Sequence, residues 1–268
     1  MYEVDKTEMK KIAPLFEGIQ DSMVIACLQG YMGKAYTKSS DSMEAALIVS
    51  GEYSFFAGDP ESEDAGHLIR NLFLVNPSSY TVAIFNDEDP RWEKRLMSVS
   101  ENHPVIVPRH GIVQKDYHFD QTLLTKYIKR LPEDVDLISF DGNLYRQAMG
   151  EEWSKEFCEI FASEEEYLER GFGFGVVKDG KLVSGASTMT AYDGGIEVQV
   201  ATDEHYQGRG YAMACAAALI LECAKRGIRP CWDAANEASL HMALRLGYEY
   251  QGIYTTIRMS RNDRVMES

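Results

Sequence analysis

Apolar and polar residues alternate along residues 195–202, which read GIEVQVAT. Successive side chains of a β-strand point to opposite faces, so this pattern predicts a strand with an apolar face on a core. Its polar face carries Glu197 and is available to line a cleft. Residues 211–221, YAMACAAALIL, are small and apolar all round, as in a helix that is buried on most sides. The two patterns predict a central strand followed by a buried helix.

Similar patterns divide the rest of the chain into helices and short strands. The dipeptides Ser50-Gly51 and Asp179-Gly180 stand between apolar runs and predict β-hairpins. Ser163 followed by Glu166 predicts the capped start of a helix. In the second half, the predicted order is strand, helices, three antiparallel strands, helix, strand, helix and strand. The fold class is therefore α/β, of the mixed α+β kind.

A charged segment that contains a proline, KRLPEDVD at residues 129–136, indicates a domain boundary. We expect an N-terminal α/β domain at residues 1–130 and a second domain at residues 131–268. The first half carries no motif that indicates chemistry. Its alternation of elements leaves open whether it is a degenerate copy of the second half.

The net charge of the 268 residues is −15. A field of this sign repels phosphate backbones and anionic lipids, so we expect neither nucleic acid nor membrane as a partner. It attracts small cations, although an acidic surface that only maintains solubility is the alternative. No apolar run approaches the roughly 20 residues of a membrane span, and the N-terminus lacks the apolar core of a signal peptide. We therefore expect a cytoplasmic protein.

The cysteines and histidines do not form a metal-binding pattern. The number of cysteines is odd, their flanks are apolar, and no CxxC pair occurs, which favours buried, reduced thiols. His103, His110 and His118 are spaced too widely for a known metal signature. No metal is expected. The cysteines are Cys27, Cys158, Cys215, Cys223 and Cys231.

A glycine-rich turn joins the predicted central strand to the buried helix, since residues 207–212 read QGRGYA. Glycine permits positive φ and lets a backbone approach a ligand closely. The first turn of the helix presents unpaired N–H groups and the positive end of the helix dipole. A phosphate or pyrophosphate is the natural ligand of such a helix start, whereas a turn that binds nothing is the alternative.

Two kinds of phosphate-binding turn compete for this segment. Gly208 and Gly210 begin a G-x-G pattern, and Asp233 stands near the ribose-binding position of a dinucleotide fold. However, Met213 occupies the third glycine position, and the hairpins upstream indicate antiparallel pairing. A P-loop is excluded because no GxxxxGK sequence occurs.

The turn QGRGYA resembles the (Q/R)-x-x-G-x-(G/A) signature of the GNAT superfamily of acetyl-CoA-dependent N-acetyltransferases. The antiparallel strands before it, the strand at residues 230–233 and the Leu246-Gly247-Tyr248 end of the last helix fit that family. The resemblance covers residues 131–268 and implies a GNAT-type, largely antiparallel central sheet flanked by helices. The segment WDAANEAS and the extra N-terminal half are similar to the zwittermicin A resistance branch, which implies antibiotic resistance.

The resemblance also implies how acetyl-CoA is held. The backbone of the central strand would pair with the pantetheine amides, and the N–H groups of the glycine turn would hold the pyrophosphate. Asn236 would contact the pantetheine arm, with Ser239 one helical turn later; a helix cap is a compatible second role for Asn236. The implied acetyl-CoA-binding residues are Val200, Ala201, Thr202, Gln207, Gly208, Arg209, Gly210, Tyr211, Ala212, Asn236 and Ser239.

Catalysis needs a base, because an alkyl ammonium with a pKa of about 10.4 must lose a proton before its nitrogen attacks a thioester. Many family members keep a carboxylate at the position of Glu197, although an exposed or ion-paired glutamate is the alternative. A backbone N–H near Val200 is the expected oxyanion donor. The family's usual tyrosine acid is replaced by Ala243, which leaves His241, Tyr248 or no protein acid.

These observations predict an N-acetyltransferase that moves acetyl from acetyl-CoA to a primary amine of a small cationic molecule by direct attack in a ternary complex. A covalent route through Cys231 is disfavoured by the apolar residues around it. A non-catalytic acyl-CoA sensor is the alternative from another functional class. We expect the N-terminal half to form either part of the acceptor wall or the contact of a homodimer.

Overall fold

The computed structural model describes residues 1–113 and 118–261. Its contacts divide the chain into two compact units. The first contains residues 1–109 and the C-terminal segment from residue 253, and the second contains residues 110–252.

Helices and strands are interspersed along the described residues, with short 3-10 segments between some of them. The strands are β1 (Tyr2–Glu3), β2 (Lys34–Thr37), β3 (Ala45–Ser50), β4 (Tyr53–Gly58), β5 (Tyr80–Phe85), β6 (Val105–Ile112), β7 (Asp136–Ser139), β8 (Gly173–Lys178), β9 (Lys181–Tyr192), β10 (Gly195–Thr202), β11 (Arg229–Cys231) and β12 (Tyr250–Ser260). The helices are α1 (Met9–Ile12), α2 (Ser22–Leu28), α3 (Glu63–Arg70), α4 (Leu72–Val75), α5 (Pro90–Met97), α6 (Gln121–Ile128), α7 (Gly142–Met149), α8 (Glu164–Arg170), α9 (Tyr211–Arg226) and α10 (Glu237–Leu246).

The first unit is built on a sheet in the order β1-β2-β3-β4-β5-β12-β6. Its first four strands pair antiparallel, whereas β4 and β5 are parallel. The core of this unit contains Phe56, Leu68, Trp92 and Ile257, all at most 1% exposed. Ile257 lies on β12, so this strand completes a core whose other buried residues, apart from Met259, lie between Tyr36 and Leu96.

The second unit has a sheet in the order β11-β10-β9-β8-β7. Strands β7 to β10 are antiparallel, and only β10 and β11 are parallel. Helix α9 packs against β8, β9 and β10, and its residues 214–217 are fully buried. This is the mixed, largely antiparallel sheet that was predicted, and it excludes the dinucleotide fold.

Local signals predicted the turns well, and the domain boundary differs from the prediction. Asp179 and Gly180 adopt positive φ between β8 and β9, and Ser163 Oγ accepts a hydrogen bond from Glu166 N at 3.2 Å. The predicted boundary at residue 130 lies inside the second unit, because α6 packs on α9. No helix among the described residues is both long and apolar enough to cross a bilayer.

Candidate active site

The central feature of the second unit is the divergence of β10 from β11. Strand β11 pairs with Gly195, Ile196 and Glu197 only, although β10 continues to Thr202. Beyond Glu197, this edge of β10 has no strand partner among the described residues. Backbone N–H and C=O groups on an unpaired edge are available to a ligand that pairs as a strand does.

Glu197 lies at the point where the two strands separate. Its carboxylate Oε1 accepts a hydrogen bond from the backbone N–H of Asp233 at 3.1 Å, and the residue is 9% exposed. A carboxylate acceptor strengthens such a bond, so Glu197 holds the end of β11 in place. The predicted base is thus buried in the cleft, and it also has a structural function.

Polar groups surround Glu197 on its face of the sheet. Thr190, its Cα partner on β9, has a buried hydroxyl without a hydrogen bond in the described part of the chain. Two residues along β10, the Gln199 side chain donates to the carboxylate of Glu156. Cα partners and alternate residues of a strand share a face, so this side of the sheet is polar and acidic.

Tyr192 and Cys231 form a second pair on this face. The Tyr192 hydroxyl and Cys231 Sγ are 3.2 Å apart, and burial, followed by the nearby Cys231, raises the pKa of the phenol. A Cβ at Gly195 would overlap Tyr192 Oη, so the glycine makes room for the ring. Cys231 is 4% exposed and hydrogen-bonded, which favours the predicted packing role over a nucleophilic one.

All five cysteines are free and buried, as predicted. Burial raises the pKa of Cys27, Cys158, Cys215 and Cys223 to about 12. Among the described residues, no group of three or more histidine, cysteine or acidic side chains is arranged to hold a metal ion.

The glycine turn has the conformation that its sequence predicted. Gly208 and Gly210 adopt φ of 75° and 82°, a region that other residues enter only with strain. Nothing lies within 4 Å of the position of an added Cβ at either residue, so the turn opens into free space. Gln207 Nε2 donates to Thr202 O at 3.4 Å and connects the turn to the end of β10.

The start of helix α9 is left without a side-chain cap. Gly210 is the N-cap residue and has no side chain to accept from the first N–H groups. A helix of 16 residues begins there, and the positive end of its dipole and its free N–H donors are directed at the open turn. This arrangement fits an anionic group such as a pyrophosphate.

Asn236 and Ser239 lie at the start of α10 and bond to the protein itself. Asn236 Oδ1 accepts from Ser239 N at 3.0 Å, which is the predicted N-cap. Ser239 Oγ accepts from Trp232 Nε1, also at 3.0 Å. The cap uses the oxygen of the Asn236 amide, so its Nδ2 group can donate to a ligand carbonyl.

Of the two candidates for the general acid, Tyr248 is buried and His241 is exposed. Tyr248 is 3% exposed, and its hydroxyl donates to Pro230 O at 2.7 Å. This geometry makes Tyr248 a structural residue and argues against its predicted role as an acid. His241 is exposed on α10, and Ala243 is fully buried.

A basic cavity beside the turn was missed by the sequence analysis. It has a volume of about 130 Å³ and is lined by Tyr127, Arg130, Arg209, Gly210 and Arg245, among others. Only Arg209 and Gly210 were predicted to lie at the site. No local signal links α6, or the end of α10, to the turn, because folding alone brings them together.

The first unit repeats this order of elements without these features. Strand β4 ends at Gly58, two residues beyond Phe56, the last residue that pairs with β5. At the start of α3, Ser62 Oγ accepts from Ala65 N at 3.1 Å. The surrounding loop is acidic, with Asp59, Glu61, Glu63 and Asp64. A capped and negatively charged helix start does not favour phosphate.

Comparison with known proteins agrees with this geometry. A family model described as GNAT acetyltransferase matches residues 13–257 and so extends well beyond the predicted span of 131–268. An uncharacterized N-acetyltransferase of Bacillus subtilis (strain 168), YdfB, is 28% identical over 212 residues, which is 77% of each chain.

Solved structures give the same result. A GCN5-related N-acetyltransferase-like protein from Streptococcus suis 89/1591 is 33% identical, with a TM-score of 0.85 over 94% of this chain and 98% of that one. A tandem GNAT protein from the clavulanic acid biosynthesis pathway is 10% identical, with a TM-score of 0.56 over 96% and 97% of the two chains, and therefore supports the fold alone. This chain belongs to the GNAT acetyltransferase family and is an acetyltransferase.

Proposed function

We propose that this acetyltransferase moves acetyl from acetyl-CoA to a primary amine of a small cationic molecule, by direct attack in a ternary complex. The observation that supports this most is the opening of the β10 edge beyond Glu197, next to the uncapped start of α9. An extended arm that ends in a pyrophosphate requires both features side by side.

The residues present fit acetyl-CoA. The backbone of Val200, Ala201 and Thr202 lies on the unpaired edge and would pair with the amides of the pantetheine arm. The N–H groups of residues 207–212 would hold the pyrophosphate. Asn236 Nδ2 would donate to a pantetheine carbonyl while Oδ1 caps α10, and Ser239 would lie beside it.

Bound acetyl-CoA supplies an activated acetyl group, and the chain must manage the protons. Glu197 would accept the proton of the incoming ammonium, directly or through a water molecule. The Thr190 hydroxyl, which has no hydrogen bond to any described residue, lies on the same face and would help to hold such a water. A backbone N–H near Val200 would donate to the developing oxyanion.

The acceptor is proposed to be cationic because of the acids on this face. Glu197 lies on the polar face of β10, the Gln199 side chain on the same strand donates to the carboxylate of Glu156, and the net charge of the chain is −15. A positive substrate gains attraction in such a cleft, whereas an anionic one is repelled. An antibiotic-like amine, as in the zwittermicin A resistance branch, is one molecule of this class.

A non-catalytic acyl-CoA sensor is the second candidate, and two observations favour it. Ala243 occupies the usual position of the acid and is fully buried, and the Tyr248 hydroxyl is bonded to Pro230 O. Direct transfer is still compatible with these facts, because a CoA thiolate is a tolerable leaving group that water can protonate.

An amine panel tests the proposal. Purified protein is incubated with acetyl-CoA and with neutral, cationic and anionic primary amines, and thiol release is followed with a chromogenic disulfide. The protein's own buried thiols should react slowly and leave a low background. We expect the highest kcat/KM with a cationic amine, and Glu156→Gln should lower this preference. The exposed Glu169→Gln on α8 is the control for the lost charge.

Two results would contradict the proposal. Tight binding of acetyl-CoA by calorimetry without turnover of any amine would favour the sensor. Acetyl transferred to the protein in the absence of an acceptor, and retained in a stable adduct, would replace direct attack by a covalent route.

A further inference from the structure

The cavity beside the glycine turn brings three arginines together from separate parts of the second unit. Arg209 lies in the turn, Arg130 follows α6, and Arg245 is in the last turn of α10. We propose that these arginines bind the 3′-phosphate of the CoA nucleotide, so that the enzyme distinguishes CoA from its dephosphorylated form. This inference rests on the proposed binding of acetyl-CoA.

The side chain of Tyr127 positions two of the arginines. The Cζ atoms of Arg130 and Arg245 lie 5.5 Å and 5.7 Å from the centroid of the Tyr127 ring. The Tyr127 hydroxyl donates to Arg245 O at 3.2 Å and fixes the ring against the end of α10. A guanidinium that is attracted to an aromatic ring keeps its N–H donors available at its edge.

Arg209, in the glycine turn, is held in a similar way by an aromatic ring. Its Cζ lies 5.2 Å from the centroid of the Tyr206 ring, and its Nη2 donates to His205 O at 3.3 Å. The flanking residues Gly208 and Gly210 have no side chains, so the turn leaves the approach to Arg209 open. The turn thus presents a positioned guanidinium next to the free N–H groups of α9.

The described residues place no carboxylate in an ion pair with these arginines. Asp134 is near enough for Arg209 to contribute to lowering its pKa, but that carboxylate bonds to Lys178, which is the main cause. Positive charges gathered without a partner repel one another, and a dianionic ligand relieves this repulsion.

The chemistry of the cavity matches a terminal phosphate better than a carboxylate or a nucleobase. Three arginines line the cavity of about 130 Å³, and arginine binds phosphate oxygens through paired N–H donors. The pyrophosphate would occupy the start of α9, so a second phosphate group nearby accounts for the additional cations. In a chain with a net charge of −15, such a local positive region is a specific feature.

Calorimetry with the full chain and two ligands, CoA and dephospho-CoA, tests this inference. The unmodified protein should bind CoA at least tenfold more tightly, which is about what one hydrogen-bonded charge pair contributes. Arg130→Gln and Arg245→Gln should each lower the affinity for CoA about tenfold and leave the affinity for dephospho-CoA unchanged. Both arginines are exposed, so these variants should fold normally, as thermal unfolding would verify.

Lys129→Gln is the matched control. It removes the same charge from the residue next to Arg130, but Lys129 does not line the cavity. It should therefore keep the tenfold preference. If Lys129→Gln loses as much affinity for CoA as the arginine variants, only the general electrostatic field of the protein matters. That result would overturn the proposed phosphate site.

Other outcomes separate this inference from the proposed function. If the unmodified protein binds CoA and dephospho-CoA equally well, the 3′-phosphate site is wrong, while acetyl-CoA binding stands. If the arginine variants lower the affinity for CoA and for dephospho-CoA equally, the three arginines bind the pyrophosphate and the inference also fails. If neither ligand binds, the proposed function fails together with it.

Discussion

Glu197→Gln is the change that best separates catalysis from structure in this enzyme. The glutamine amide oxygen can still accept the hydrogen bond that Asp233 N donates to Oε1 at 3.1 Å. Only the negative charge and the ability to take a proton are lost. A general base contributes roughly 10²–10⁴-fold to a rate, so kcat with the best amine should fall by about that factor.

The cost in stability should be small by comparison. A hydrogen bond to a charged acceptor contributes about 1 kcal/mol more than a bond to a neutral acceptor, so the free energy of unfolding should fall by about 1 kcal/mol. Glu197→Ala removes the acceptor altogether and leaves the Asp233 N–H unsatisfied, at a cost of about 1–3 kcal/mol. The alanine variant should therefore unfold at a lower temperature than the glutamine variant.

Initial rates, calorimetry and thermal unfolding measure these three quantities. Acetyl-CoA affinity should be unchanged in Glu197→Gln, and Glu169→Gln on α8 should behave as the unmodified protein. The residual rate of Glu197→Gln should rise about tenfold per pH unit until the pH nears the amine pKa of about 10.4, because the amine must then lose its proton unaided. A kcat within threefold of the unmodified enzyme would refute the base and leave Glu197 as a link between two strands.

Four further predictions follow from the site. Tyr248→Phe should lower the free energy of unfolding by about 1–3 kcal/mol, since Pro230 O loses its donor, but should leave kcat unchanged; a large drop in kcat would restore Tyr248 as the acid. Gly210→Ala should cost about 1–2 kcal/mol of stability at a φ of 82° and weaken acetyl-CoA binding in calorimetry, and unchanged affinity would remove the turn from the site. Asn236→Ala should lose the cap to Ser239 N, worth about 1 kcal/mol in thermal unfolding, and also lower acetyl-CoA affinity, whereas a cap without a ligand role would lower stability only. Calorimetric titration should give one acetyl-CoA per chain, and two would mean that both units bind.

The features that the sequence predicted depend on neighbouring residues. Alternation along GIEVQVAT sets the two faces of β10, and positive φ at Gly208 and Gly210 follows from the glycines themselves. The hairpin at Asp179-Gly180 and the cap at Ser163 are equally local. Each of these rests on a few consecutive residues whose conformational preferences agree with the fold.

The features that the sequence did not predict depend on residues far apart in the chain. Arg130 reaches the glycine turn only because α6 packs on α9, and KRLPEDVD gives no sign of this packing. Strand β12 pairs with β5, so that Ile257 lies opposite Ala83. The alternation of residues along a strand does not indicate which other strand it pairs with. The sequence could not show that the Tyr248 hydroxyl donates to Pro230 O, so Tyr248 was a candidate for the acid.

The contrast between the two units supports the location of the site. A strand, a helical segment, a parallel strand, a helix and a strand follow one another twice, in β4-α3-α4-β5-α5-β6 and in β10-α9-β11-α10-β12. The last strand of the second series, β12, belongs mostly to the first unit. This repeated order favours the hypothesis that the first half of the chain is a degenerate copy of the second half. In the first copy Ser62 caps the helix start, whereas Gly210 leaves it uncapped in the second. If both halves arose from one ligand-binding fold, the first half has lost the two properties that phosphate binding requires. The Ser62 cap removes a free N–H donor, and the acidic loop removes the positive potential.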